Sequence, residues 1–182
     1  MSTTTPVINL DLVLDRNTAK DVLRAVLHSV LFHRLFGIVK PKTFEVLDVT
    51  MPAVDDRETE MLVDQKVDAF WKAIEGGVSK RGSIDVTFSE KRAKKSWFLV
   101  GEEEVPWEQW VINAEIRQPT TDRERQKFNA DLAATLTKGL RTMLTHTSSE
   151  TGRAAVPLIT VAQGISPFPY KITVKVNGME VP

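Results

Sequence analysis

Histidines and carboxylates are the residues of this sequence that could carry out acid–base chemistry or bind a metal. The three histidines are His28, His33 and His146. His28 and His33 lie five residues apart in a predicted helix, roughly 140° around its axis, so they do not share one face as an i, i+4 metal-binding pair would. We therefore interpret the histidines as structural residues.

Other patterns of catalysis are also missing from the sequence. The chain has no cysteine, which excludes a thiolate nucleophile and a thiolate metal site. It has neither the G-x-S-x-G elbow of hydrolases nor the glycine-rich loops that bind phosphates. Adjacent acids at Asp55-Asp56 and Glu102–Glu104 lie in polar stretches, where carboxylates are normally solvated. The sequence predicts no catalytic residue, no metal site and no cofactor, and therefore a protein that is not an enzyme.

Length and charge set further limits. The 182 residues suit one domain with a sizeable core, which we expect to span residues 1–182. Lys plus Arg equal Asp plus Glu at 24 each, so the net charge gives no drive toward nucleic acid. We find neither a run of 18 apolar residues nor a secretory signal in the sequence, and we expect a cytoplasmic protein.

The element that must organise the fold is a helix predicted over Thr18–Phe36. It is apolar around most of its circumference, with Lys20, Arg24, His28 and Arg34 as polar exceptions, and such a helix is buried. We expect Thr18, with Asp21, to form its N-cap and Gly37 its C-cap.

Hydrophobic periodicity predicts the remaining elements. Further helices are expected over Asp56–Glu75 and Thr121–Thr145, and strands over Val7–Leu14, Thr43–Met51, Ser83–Ser89, Trp107–Arg117, Ala155–Ala162 and Tyr170–Val176. Helices interleaved with hairpin-type strands predict an α+β fold, with long helices packed on one mostly antiparallel sheet. Ser148–Arg153 is expected to be a polar loop.

The segment Glu90–Val105, with sequence EKRAKKSWFLVGEEEV, is much longer than a hairpin connection needs. Its charged flanks favour an exposed loop that presents Trp97 and Phe98 for binding, because exposed apolar patches tend to be interaction sites. Two alternatives stay open at this point. The aromatic rings could fold back onto the sheet, or the basic run at 91–95 and the aromatics could contact a membrane surface.

Three segments together resemble the autophagy-related protein 101 family, whose members consist of a HORMA domain. They are AVLHSVLFHRLFG at 25–37, VPWEQW at 105–110 and PFPYKI at 167–172. The resemblance implies one HORMA-like domain that acts as a non-enzymatic adaptor of the autophagy initiation complex. It also implies pairing with, and stabilisation of, the HORMA domain of autophagy-related protein 13, which in turn attaches to a ULK-type kinase. This chain would thereby join the kinase complex indirectly, at the autophagosome formation site.

The same resemblance implies that an exposed loop, the WF finger, recruits downstream autophagy factors. By position, the finger residues here are Trp97 and Phe98, although better-known members have a proline between the two aromatics. HORMA pairs meet through the third long helix and neighbouring strands, which would place Arg123–Leu144 and Thr43–Met51 at the partner. We expect Arg123 and Lys127 to touch it, and membrane association to be indirect.

Overall fold

The computed structural model describes residues 4–94, 98, 101–161 and 164–182. Its strands are β1 (Val7–Leu14), β2 (Pro41–Val46), β3 (Val49–Val54), β4 (Arg81–Ala93), β5 (Glu102–Ile116), β6 (Tyr170–Val176) and β7 (Met179–Val181). Its helices are α1 (Ala19–Arg34), α2 (Arg57–Gly76), α3 (Asp122–Ser148) and α4 (Glu150–Ala155).

The main sheet has five strands in the order β1-β5-β4-β6-β7. Only the β1–β5 pair is parallel among these described strands; the others are antiparallel. Helix α2 contacts β4 and β6, whereas α3 contacts β1. The predicted α+β fold with a mostly antiparallel sheet is therefore confirmed.

Helix α1 is the buried helix that the sequence predicted, and it contacts α2, α3 and the two-stranded β2–β3 sheet. Its polar residues divide into two groups. Lys20 and Arg24 point toward α2, where they pair with Asp68 at 2.9 Å and with Asp64 at 2.6 Å. The side chains of His28 and Arg34, by contrast, are buried. Two of the predicted polar exceptions are thus part of the interior.

Both ends of α1 differ from the prediction. Thr18 is the N-cap residue, as predicted, but its side chain makes no cap hydrogen bond with the helix. Instead the Asp15 carboxylate accepts hydrogen bonds from the Thr18 N–H at 2.8 Å and from its hydroxyl at 2.6 Å. At the other end Leu35 is the C-cap, and Gly37 donates its N–H to the Ile165 carbonyl at 3.0 Å. Gly37 thus allows its segment to lie close to the segment that contains Ile165, and it does not cap the helix.

The single strand predicted over Thr43–Met51 is wrong, because the chain forms the β2–β3 hairpin there. Leu47 and Asp48 form its turn with φ of 52° and 61°. Two consecutive positive φ values are the geometry of a type I′ turn, which usually uses Asn or Gly. Pro52, the residue after the predicted strand, pairs with Thr43 inside β3. A proline is tolerated there because this sheet has only two strands, so each has a free edge.

Two predictions after α3 are also wrong. The polar loop expected at Ser148–Arg153 contains α4, whose N-cap Ser149 accepts a hydrogen bond from Gly152 N–H at 2.9 Å. Residues 155–161 form no strand, and Ala162 lies outside the described residues. The polar composition of 148–153 thus favoured a loop prediction, although the segment contains a short capped helix.

Candidate functional site

The β4–β5 hairpin positions the predicted finger. Its two strands stay paired as far as Ala93 and Glu102, and the Lys94 N–H donates to the Gly101 carbonyl at 2.9 Å. Residues 90–93 and 102–105 of the long connection expected at 90–105 are therefore strand. Trp97 lies outside the described residues, whereas Phe98 is described and its side chain is 95% exposed.

The stem of this hairpin explains why the charged run can be strand. Lys91 lies opposite Glu104, and Arg92 lies opposite Glu103. Opposite charges on facing residues stabilise an antiparallel pair, so the pairing continues beyond the hydrophobic core. The basic run and the acidic triplet, which the sequence showed as two blocks, thus form complementary strands.

The charge balance of the stem bears on the membrane alternative. Its described residues at 90–94 and 101–104 carry three cations and four carboxylates. Adsorption to anionic lipid gains about 1 kcal/mol for each cation near the surface, and carboxylates beside the cations oppose that gain. The stem therefore offers no net positive charge to a membrane. In addition, no helix within the described residues combines the length and the apolarity that crossing a bilayer requires.

Helix α3 presents the second predicted surface. Of its 27 residues only Leu132, Leu136 and Met143 are buried. Arg123 and Lys127, the predicted partner contacts, are both exposed. They begin an exposed stripe at helical spacing along the helix, which we call the α3 stripe: Arg123, Lys127, Asp131, Ala134, Lys138, Arg141 and Thr145.

The α3 stripe has an excess of positive charge. Its four cations make no ion pair with any residue that the structure describes, whereas the nearby Arg125 pairs with Asp122 at 3.5 Å. Asp131 is the one carboxylate of the stripe. A partner surface rich in carboxylates would complement this pattern.

A buried polar network connects two of the family-like segments. The Glu108 carboxylate accepts hydrogen bonds from Arg34 Nε at 2.7 Å and Nη2 at 2.6 Å, and from Trp110 Nε1 at 2.8 Å. His146 Nε2 lies 2.5 Å from the same carboxylate. Arg34 also donates to the Gly152 carbonyl at 2.9 Å. The network therefore joins α1, β5, α3 and α4.

The electrostatics of Glu108 follow from these contacts. Burial alone would raise the pKa of its carboxyl group, but the hydrogen bonds and charge of Arg34, aided by His146 and Trp110, hold the pKa below its ordinary value. The side chains of Arg34 and Glu108 are only 2% and 0% exposed. Such a pair fixes the relative positions of the elements that carry it.

The other histidines are placed as structural residues. His28 is buried, and its Nδ1 accepts a hydrogen bond from Val54 N–H at 3.4 Å. Burial, followed by the charge of Lys42, lowers the pKa of His28 to about 4. His33 Nδ1 bonds to the Ser29 carbonyl at 2.6 Å. No three His, Asp or Glu side chains within the described residues are grouped as metal ligands.

The sequence did not predict the buried polar network. Glu108 lies in the VPWEQW segment and Arg34 in the LFHRLFG segment, so both were noticed as part of a pattern but not as partners. They are 74 positions apart, and no periodicity links residues at that distance. The sequence signal was one carboxylate and one guanidinium within two segments that are rich in apolar residues.

Comparisons with known proteins identify the family. A model of the family described as autophagy-related protein 101 matches residues 11–163. The Schizosaccharomyces pombe protein of that name is 30% identical over 71% of this chain and 70% of its own length. The Arabidopsis thaliana protein is 34% identical over 56% of this chain and the Homo sapiens protein 26% identical over 64%. These two matches span 48% and 60% of the relatives' own lengths. The chain therefore belongs to the autophagy-related protein 101 family, with an α+β HORMA-like fold and an autophagy-related role.

Proposed function

We propose that this protein is a non-enzymatic adaptor of the autophagy initiation complex. In this proposal it binds and stabilises the HORMA domain of autophagy-related protein 13 and thereby joins a ULK-type kinase complex. It recruits downstream factors through a finger containing Trp97 and Phe98. The observation that carries the proposal is the 95% exposed Phe98 side chain at the end of a charge-matched β4–β5 stem.

An exposed aromatic side chain on such a stem suits recruitment for a physical reason. Burying a Phe side chain is worth about 1.5–3 kcal/mol, so leaving it in water forgoes stability that a partner can recover by covering it. Aromatic residues also supply much of the binding energy at protein interfaces. Phe98 follows the last described strand pair, Ala93 with Glu102, and its exposed side chain is accessible to a partner.

The finger is tested by changing Trp97→Ala together with Phe98→Ala. We expect the melting temperature and the heterodimer affinity to stay close to the wild-type values, while downstream factors no longer gather at the autophagosome formation site in cells that depend on this chain. Val78→Ala is a matched control, because Val78 is 96% exposed in another part of the molecule. A melting temperature lowered by many degrees would contradict the proposal, because it would show that the two rings belong to the core.

The heterodimer surface is proposed on α3. Support comes from the small number of buried side chains in this long helix and from the four cations of the α3 stripe, which make no ion pair with a described residue. Reversing the charges with Arg123→Glu and Lys127→Glu should weaken binding to the partner HORMA domain, as measured by calorimetry. Lys72→Glu with Lys80→Glu reverses two exposed cations away from α3 and serves as the control. Equal affinities of all variants would remove α3 from the interface.

We propose that the protein works in the cytoplasm at the autophagosome formation site and reaches membranes through its partners. Flotation with vesicles containing anionic lipid tests this point. The isolated protein should stay unbound at low salt, because the stem has no net positive charge. Salt-sensitive flotation that is lost in a Lys91→Glu, Arg92→Glu variant would favour direct membrane contact instead.

A further inference from the structure

The contacts of the described residues do not explain why position 139 of α3 is a glycine. It lies within a helix of 27 residues, where glycine costs about 1 kcal/mol relative to alanine. A Cβ atom added at Gly139 would meet nothing within 4 Å. No described residue therefore needs the space that a side chain at position 139 would occupy. The lower helix propensity of glycine is not offset by any contact within the described part of the chain.

Gly139 lines a cavity of about 240 Å³ between α3, β1, β3 and α1. The cavity has mainly apolar walls and a polar rim. The apolar side chains are Leu10, Leu12, Val26, Met51, Leu136 and Met143, and the rim is formed by Asn9, Asp11, Thr135, Lys138 and Thr142. A dry apolar cavity of about 150 Å³ in another protein is large enough to bind benzene. This cavity can therefore accept one large aliphatic or aromatic side chain.

The polar groups around this cavity are partly committed elsewhere. The hydroxyl groups of Thr135 and Thr142 donate to carbonyls within α3, at 2.9 and 3.0 Å. Lys138 belongs to both the rim and the α3 stripe, and it makes no ion pair with a described residue. The rim therefore carries one cation, Lys138, and one carboxylate, Asp11, which accepts a hydrogen bond from Asn113 Nδ2 at 2.9 Å. The excess positive charge beside the cavity comes from the α3 stripe, and it favours an occupant bordered by carboxylates.

We propose that the cavity at Gly139 is a notch in the α3 surface that receives one large apolar side chain of the partner HORMA domain. That side chain projects from an acidic surface which lies against the α3 stripe. This inference rests on the proposed heterodimer, and it adds the anchoring contact and the chemistry of the partner residue. A large side chain at position 139 would enter the notch from within and exclude the partner's side chain.

The main test is Gly139→Leu, measured by calorimetry with the HORMA domain of autophagy-related protein 13. Both Gly139→Leu and the matched Gly139→Ala should raise the melting temperature, because helix propensity improves and the Cβ meets no atom. Gly139→Leu should weaken binding by at least about tenfold, since the leucine fills the notch, while Gly139→Ala stays within about threefold. Thr137→Leu adds the same side chain on nearly the opposite side of α3 and should leave binding unchanged.

A second measurement uses the wild-type protein and its partner, without any substitution. Met51 and Met143 line the notch and are buried, whereas Met61 and Met179 are 62% and 71% exposed elsewhere. The methyl resonances of Met51 and Met143 should shift when the partner HORMA domain is added, and those of Met61 and Met179 should serve as references.

The outcomes separate the notch from the heterodimer surface. If Arg123→Glu with Lys127→Glu weakens binding but Gly139→Leu does not, the α3 interface stands and the notch is overturned. Unchanged Met51 and Met143 resonances in a formed heterodimer would also overturn the notch. If every α3 variant binds with wild-type affinity, the proposed interface fails as well.

Discussion

Replacing Arg34 by methionine would leave the Glu108 carboxylate inside the protein without its guanidinium partner. The two side chains are 2% and 0% exposed, so water cannot take the place of the lost charge. Removing one member of a buried ion pair typically costs about 3–5 kcal/mol of unfolding free energy. We expect about 3 kcal/mol here, the lower end of this range, because Trp110 and His146 still donate hydrogen bonds to Glu108.

The loss can be measured by urea unfolding followed by circular dichroism, with an unchanged m-value as evidence for a change in stability alone. For a chain of this size, 3 kcal/mol corresponds to a fall of roughly 6–12 °C in melting temperature. The matched variant is Arg34→Met combined with Glu108→Gln, which removes both charges. Its loss should be smaller than the sum of the single losses by at least about 1 kcal/mol, because no unpaired charge remains.

The same network predicts how stability depends on pH. The pKa of Glu108 is lower in the folded protein than in the unfolded chain, so its contribution is fully present above the unfolded value of about 4.3 and is lost as the pH falls through the folded value. Two results would refute the reasoning about the buried Arg34–Glu108 pair. The first is a loss of unfolding free energy below about 1 kcal/mol in Arg34→Met, which is the range measured for exposed ion pairs. The second is a loss in the double variant that equals the sum of the two single losses.

Three further predictions concern single residues. His28 should titrate near pH 4 by NMR, so that stability falls as the pH drops from 6.5 toward 4; a midpoint near 6.5 would contradict its burial. Gly37→Ala should lower unfolding free energy by about 1–3 kcal/mol in urea titrations, because the new Cβ would lie 2.1 Å from the Gly164 carbonyl oxygen; wild-type stability would show that the two segments separate freely. Thr121→Ala should cost about 1 kcal/mol, measured in the same way, because it removes the capping box with Glu124.

Local periodicity was sufficient for the most regular elements. The strand predicted at Val7–Leu14 has those bounds in the structure, as does Tyr170–Val176. Helix α2 begins and ends within a residue of the prediction, and its N-cap Asp56 accepts a hydrogen bond from Thr59 N–H at 3.0 Å. In each case the residues that determine the helix or strand are close together in the sequence. The hydrophobic pattern of neighbouring residues is therefore enough to predict it.

Prediction failed where an unusual backbone conformation or a distant segment decided the structure. The turn at Leu47-Asp48 has two positive φ values without glycine or asparagine, so the strand pattern seemed continuous. The Lys91–Ala93 extension of β4 depends on the acidic strand opposite it, which follows later in the chain. Alternation within either strand could not reveal that pairing.

The sequence by itself determined the family, the buried opening helix and the mixed fold, because the patterns that indicate them lie within contiguous segments. Only the tertiary structure brought Arg34, Glu108 and His146 together, and it alone gave Gly139 a cavity to line. The physical reason is that burial and opposing charge act between residues that are distant in the chain. Their strength depends on which segments the fold places in contact.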